Sequence, residues 1–144
     1  MLNEIRALKK TNDHTIIFLK KMMNTGEFRS PDHAFVVLRA TMKALRDRIG
    51  PGEAFHLGGQ LPALLRGYFF EGYDMTNVKK VQGTSRGVNQ FMGEVKDYID
   101  QYDFMDLEKV VPIALNVLLQ SIDQGEADQI VNQLPTEIQN LFAP

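Results

Sequence analysis

Apolar side chains recur along this chain at intervals of three and four, the spacing that gathers one face of an α-helix. No stretch alternates cleanly between apolar and polar residues over six positions, so strands are not expected. Met1–Lys10 reads as a short first helix with Leu2, Ile5 and Leu8 on one side. Asp13 is placed to cap a second helix that carries Ile16, Ile17, Leu19, Met22 and Met23 toward Gly26. The clearest helix is "SPDHAFVVLRATMKALRDRIGPG", with Ser30 at the N-cap, Pro31 at the first helical position and Asp32 in the first turn. Its inward stripe is Ala34, Val37, Leu38, Thr41, Leu45 and Ile49. Gly50-Pro51-Gly52 is expected to stop it, because glycine tolerates a left-handed turn and proline cannot continue a helix.

The same plan returns later. "GEAFHLGGQLPALL" begins at Gly52 and "GEADQIVNQLPTEI" at Gly125, a displacement of 73 residues. The displacement carries Phe18, Leu19 and Met22 onto Phe91, Met92 and Val95, and Val37, Leu38, Leu45 and Ile49 onto Val110, Val111, Leu118 and Ile122. It also carries Leu65 and Phe69 onto Ile138 and Phe142, and no gap is needed between Phe18 and Phe69. Each phrase reads as a hinge. A glycine ends the long helix, and a glutamate follows at the positive end of a short one. Leu57 or Ile130 points inward, and Leu-Pro forces a bend into the next helix. Leu61 and Leu134 are expected to plug the core at that corner. Gln60 and Gln133 are expected to bond backbone groups that the bend leaves open.

The polar segment 74–87 reads as the connector, with Thr84 or Ser85 capping a helix over Val88–Tyr102. The expected fold is therefore all-α, a compact bundle of crossing helices built from two tandem helical repeats within one domain, 1–144. Repeat one covers about 13–73 and repeat two about 88–144. In copy one, the last helix has Leu61, Leu64, Leu65, Tyr68 and Phe69 on one stripe, which leaves Phe70 and Tyr73 off it, expected to cover the other repeat or, alternatively, to form an exposed aromatic patch.

Composition narrows the chemistry. A chain of 144 residues fits one domain with a self-sufficient core. The absence of cysteine excludes a disulfide framework, a thiolate zinc site and a cysteine nucleophile. "TIIFL" is too short for a signal-peptide core, and no run approaches the length of a membrane span, so a cytoplasmic protein without a membrane partner is expected. The net charge is −2 overall. It is unevenly spread, with 11 basic and 7 acidic side chains in residues 1–73 against 5 and 11 in residues 74–144. The simplest reading is two halves that attract each other.

No catalytic set, cofactor motif or metal motif emerges. His14, His33 and His56 include no pair three or four apart, so no metal ligand set is expected from them. Asp97, Asp100, Asp103 and Asp106 read as a solvated face, and "GTSRG" lacks the lysine and spacing of a phosphate loop. The leading expectation is a non-enzymatic interaction or structural module, self-associating through an aromatic patch around Phe70 and Tyr73. The alternative is a small-ligand binder or enzyme using His56, Gln60 and Arg66, since positions 56 and 60 share a helix face. A third reading places an anionic partner on Arg39, Lys43 and Arg46, joined by Lys79, Lys80 and Arg86. Nucleic acid is the least favoured partner.

"EAFHLGGQLPALLRGYFFEGY", "FMGEV" and the closing "GEADQIVNQLPTEIQNLF" together resemble the bacterial family called domain of unknown function 2267. The resemblance spans about Phe18 to Phe142, and the run His56–Arg66 is its most specific part. It implies a compact all-helical fold and a bacterial source, and brings no activity, cofactor or catalytic residue. The chain departs from the family pattern at Tyr73, where a tryptophan is expected, and at Pro112, which is expected to kink or restart the second long helix.

Overall fold

The computed structural model describes residues 5–76, 87–99 and 106–142. Among the described residues there are helices and no strand. In chain order they are α1 (Arg6–Met23), α2 (Pro31–Arg46), α3 (Pro51–Gly59), α4 (Ala63–Phe70), α5 (Val88–Tyr98), α6 (Leu107–Gln120), α7 (Gln124–Asn132) and α8 (Thr136–Gln139). A 3-10 turn at Asn140–Phe142 follows. No helix among the described residues is long and apolar enough to cross a membrane.

Helix α2 is the centre, and α1, α4, α5 and α6 all pack on it. The two short helices α3 and α7 pack on each other. One continuous core runs through Phe18 and Met22 of α1, the α2 stripe, Leu57, Leu65 and Phe69, then Phe91 and Val95, Val111, Leu115 and Leu118, and finally Ile130 and Ile138. Leu61 and Leu134 are both buried, at 2% and 4% exposed, each in the corner between a short helix and the next.

The Ser30 cap is as expected, its hydroxyl accepting from the His33 N–H at 3.1 Å. Other local expectations change. Helix α1 runs through Asp13 without a break, because nothing between Arg6 and Met23 is glycine or proline, and Asp13 pairs with Lys9 one turn earlier at 3.0 Å. It ends before Gly26, whose positive φ of 78° suits glycine alone. Gly50 does not turn left-handed. Its φ is −65°, and it is the N-cap of α3, with Pro51 at the first helical position. Gly52 and Gly125 thus lie in the first turns of the short helices rather than at the ends of the long ones.

Helix α5 starts from Gly87 and ends at Tyr98, short of Tyr102. Thr84, Ser85 and most of the expected connector lie outside the described residues. Pro112 sits inside α6, which continues from Leu107 to Gln120. Its missing N–H costs one backbone bond, to the Glu108 carbonyl, early in a helix whose later turns are largely buried.

The largest departure concerns the far side of α2. Amphipathic reading leaves that side to solvent, yet Ala40, Met42, Lys43, Ala44 and Arg46 are buried along with the stripe. The second half of the chain covers it through α5 and α6.

Candidate functional site

Lys43 and Arg46 are consumed inside the fold. Lys43 pairs with Glu71. Arg46, 1% exposed, donates from Nη1 to the carbonyls of Phe69 (2.8 Å) and Glu71 (2.9 Å), and from Nη2 to Tyr98 Oη (3.0 Å). Its Nε reaches Asp47 at 3.0 Å, and its guanidinium lies over the rings of Tyr73 and Tyr98. Arg39 is half-buried over Tyr68 at 4.9 Å. The three cations therefore do not form one exposed basic face. Lys79, Lys80 and Arg86 lie outside the described residues.

Phe70 and Tyr73 are half-buried and pack against Phe55, Phe70 tilted at 5.5 Å and Tyr73 edge-on at 6.3 Å, with 6.0 Å between the two. Phe55, 55% exposed, is the solvent-facing member of the trio. Beneath it, a Cβ added at Gly58 would meet the Phe70 ring at 2.4 Å, so α3 and α4 approach this closely only because position 58 has no side chain.

His56 is not among the lining residues of the space that Gln60 and Arg66 share. The latter two border a cleft of about 660 Å³ between α1 and the α3–α4 corner. Lys10, His14 and Lys21 line it from one face of α1, and no carboxylate does so among the described residues. Arg66 also ties off the end of α3, donating to the carbonyls of Gly58 (3.0 Å), Gly59 (3.2 Å) and Leu61 (3.0 Å). Thr11 Oγ1 accepts from Leu64 N at 2.8 Å, which satisfies a free donor at the start of α4.

Gln60 and Gln133 reach across the molecule rather than to their own bends. Gln60 Oε1 accepts from the Asp123 N–H at 2.7 Å, and Gln133 Oε1 accepts from the Gly50 N–H at 3.0 Å. Gly50 and Asp123 are the N-caps of α3 and α7. Each glutamine therefore satisfies the first donor of the other short helix.

His56 also lies at the α3–α7 contact. Its Nδ1 is 3.4 Å from Glu126 Oε2, with the imidazole exposed and the carboxylate buried. Glu53, three residues before His56, brings a second carboxylate, and one donor atom from each of the three lies within 4.8 Å of the others. Burial pushes the Glu126 carboxyl up from its usual range; the bond and charge of Glu53 add to the rise, and His56 opposes it. This is a set of donors that suits a cation or a shared proton.

Sequence reading found His56 and missed both carboxylates. The signals present were the glutamate common to both phrases and its spacing of three from His56, which puts Glu53 and His56 on one face of α3.

Among curated proteins no match is found. A family model does match: "Uncharacterized conserved protein", domain of unknown function 2267, over residues 16–141. That span includes α2 to α8, the cleft's α4 wall and all three donors of the α3–α7 contact, so the chain belongs to the family of domain of unknown function 2267.

Proposed function

We propose that the protein is a non-enzymatic, cytoplasmic binding module of two tandem helical repeats, whose α1–α4 cleft receives a small anionic molecule. The repeat reading is supported by the displacement of 73 residues, which relates Gly50 to Asp123 and Gln60 to Gln133 and so relates the two crossed glutamine bonds. The observation that carries the ligand class is the cleft wall. Lys10, His14, Lys21 and Arg66 surround a space of about 660 Å³ with no described carboxylate among the lining residues. That volume lies within the range of about 300–1,000 Å³ typical of small-molecule sites.

The test is a titration of the full chain with inorganic phosphate, citrate and AMP at low salt, followed by amide NMR shifts. Saturable shifts at Lys10, His14 and Lys21 are expected for at least one probe. Lys10→Gln and Lys21→Gln remove exposed charges, and each should weaken binding by about tenfold, or about 1.4 kcal/mol. If none of the three probes saturates, or the variants bind as well as wild type, the cleft reading fails.

Self-association through the aromatic trio is the second reading, favoured by the exposure of Phe55 over Phe70 and Tyr73. Phe55→Ser is the informative variant, because the Phe70 ring is needed against Gly58 inside the fold. Sedimentation should show dimer in wild type and monomer in the variant; a wild type that stays monomeric ends this reading. An anionic macromolecule on Arg39, Lys43 and Arg46 has the least support, since two of those side chains are buried in internal bonds.

A further inference from the structure

We propose that Glu53, His56 and Glu126 form a site for one divalent transition-metal ion where α3 crosses α7. The inference is independent of the cleft. It starts from the helix caps. Glu53 and Glu126 each occupy the third helical position after an N-cap, Gly50 for α3 and Asp123 for α7. A glutamate there commonly turns back to accept from the N-cap N–H. Here Gln133 and Gln60 already occupy those N–H groups, so both glutamates are released from capping. They meet at the helix crossing instead.

The second observation is the burial of one oxygen on each carboxylate without a donor. Glu126 is 8% exposed, and its Oε1 has no hydrogen-bond donor; Glu53 Oε2 is likewise buried and without a donor. Two carboxylates held together out of water are costly unless a cation or a shared proton joins them, and a shared proton still leaves one oxygen of each without a donor. His56 supplies the nitrogen ligand from the solvent side, where its exposed ring leaves an entry path and an open coordination position.

The geometry suits such an ion. Donors at about 2.0–2.1 Å from a tetrahedral zinc stand about 3.4 Å apart, and His56 Nδ1 to Glu126 Oε2 is 3.4 Å. All three donors lie within 4.8 Å of one another, and the exposed imidazole has room to turn toward the two carboxylates. One imidazole with two carboxylates favours zinc or manganese over the all-oxygen surroundings preferred by calcium and magnesium.

The experiment is calorimetric titration of the full chain, stripped with EDTA and dialysed, against ZnCl2, MnCl2 and MgCl2, together with thermal melts. Wild type should bind one zinc or manganese ion per chain, more tightly than magnesium, with a rise in melting temperature because the ion links α3 to α7. Glu126→Gln and His56→Ala should each weaken binding by at least about tenfold. His56 is exposed, so its variant keeps the test decisive should Glu126→Gln fold poorly. Absence of saturable one-to-one binding of zinc and manganese overturns the proposal, as does unchanged affinity in His56→Ala.

Discussion

Arg46 illustrates how far a single side chain departs from its usual place. Charged groups are seldom fully buried unless every donor is met, and this guanidinium meets two carbonyls, a phenol and a carboxylate while two aromatic rings lie against it. Arg46→Ala would strand those acceptors in the core and is expected to cost about 3–5 kcal/mol in urea denaturation. Arg46→Lys should recover little of it, because an ammonium cannot replace a planar fork; near-wild-type stability in either variant would contradict this role. Tyr98 beside it is pushed up from 10.0 to about 12 by burial, then by its hydrogen bond to Asp47 and that carboxylate's charge. The unfolded tyrosine ionises first, so this contribution to stability is intact below pH 10 and is lost as pH rises toward about 12. Tyr98→Phe should flatten that part of the stability–pH curve. Absorbance titration should show one tyrosine in wild type that ionises well after the first to titrate.

At the scale of elements, α3 and α4 depend on what is missing from Gly58. Gly58→Ala would drive a methyl group to within 2.4 Å of the Phe70 ring, and is expected to destabilise by about 1–3 kcal/mol while loosening the Phe55–Phe70 stack. Chemical denaturation with near-ultraviolet dichroism reads both effects, and an unchanged midpoint would mean that the ring moves aside freely. Element boundaries were legible where the signal was chemical and local. Ser30, Pro31 and Asp32 announced α2, and the Leu-Pro pairs marked the corners that place Leu61 and Leu134 in the core. Asp13 misled because an aspartate suits both an N-cap and a helix interior with a lysine four residues before it, and only the continuous backbone of α1 chooses between them.

Across the whole molecule, side chains from the two halves interlock. Arg48 forks onto Glu94 at 2.9 Å and 3.2 Å, Glu27 meets Lys109 at 2.9 Å, and the glutamines exchange their bonds across the α3–α7 contact. The two ion pairs run in opposite senses, with one cation from each half, so they join the halves without drawing on the uneven charge of the sequence. Because α2 is covered by helices from both halves, the protein is expected to unfold in one transition, with calorimetric and van't Hoff enthalpies in agreement. Two resolved transitions would show that the halves fold separately. By itself the sequence determined the all-helical class, the α2 cap, the inward stripe of α2 and the absence of thiol chemistry, because each follows from neighbours within a turn or two or from composition alone, whereas Ile16, Ile17 and Leu64 were expected inside and are exposed. Only the tertiary structure decided that Lys43 and Arg46 lie inside and that Glu126 comes to meet His56. Those outcomes rest on contacts between residues far apart in the chain, such as Arg46 with Tyr98, 52 positions away, and helical periodicity carries no information about which distant surface will cover a polar face.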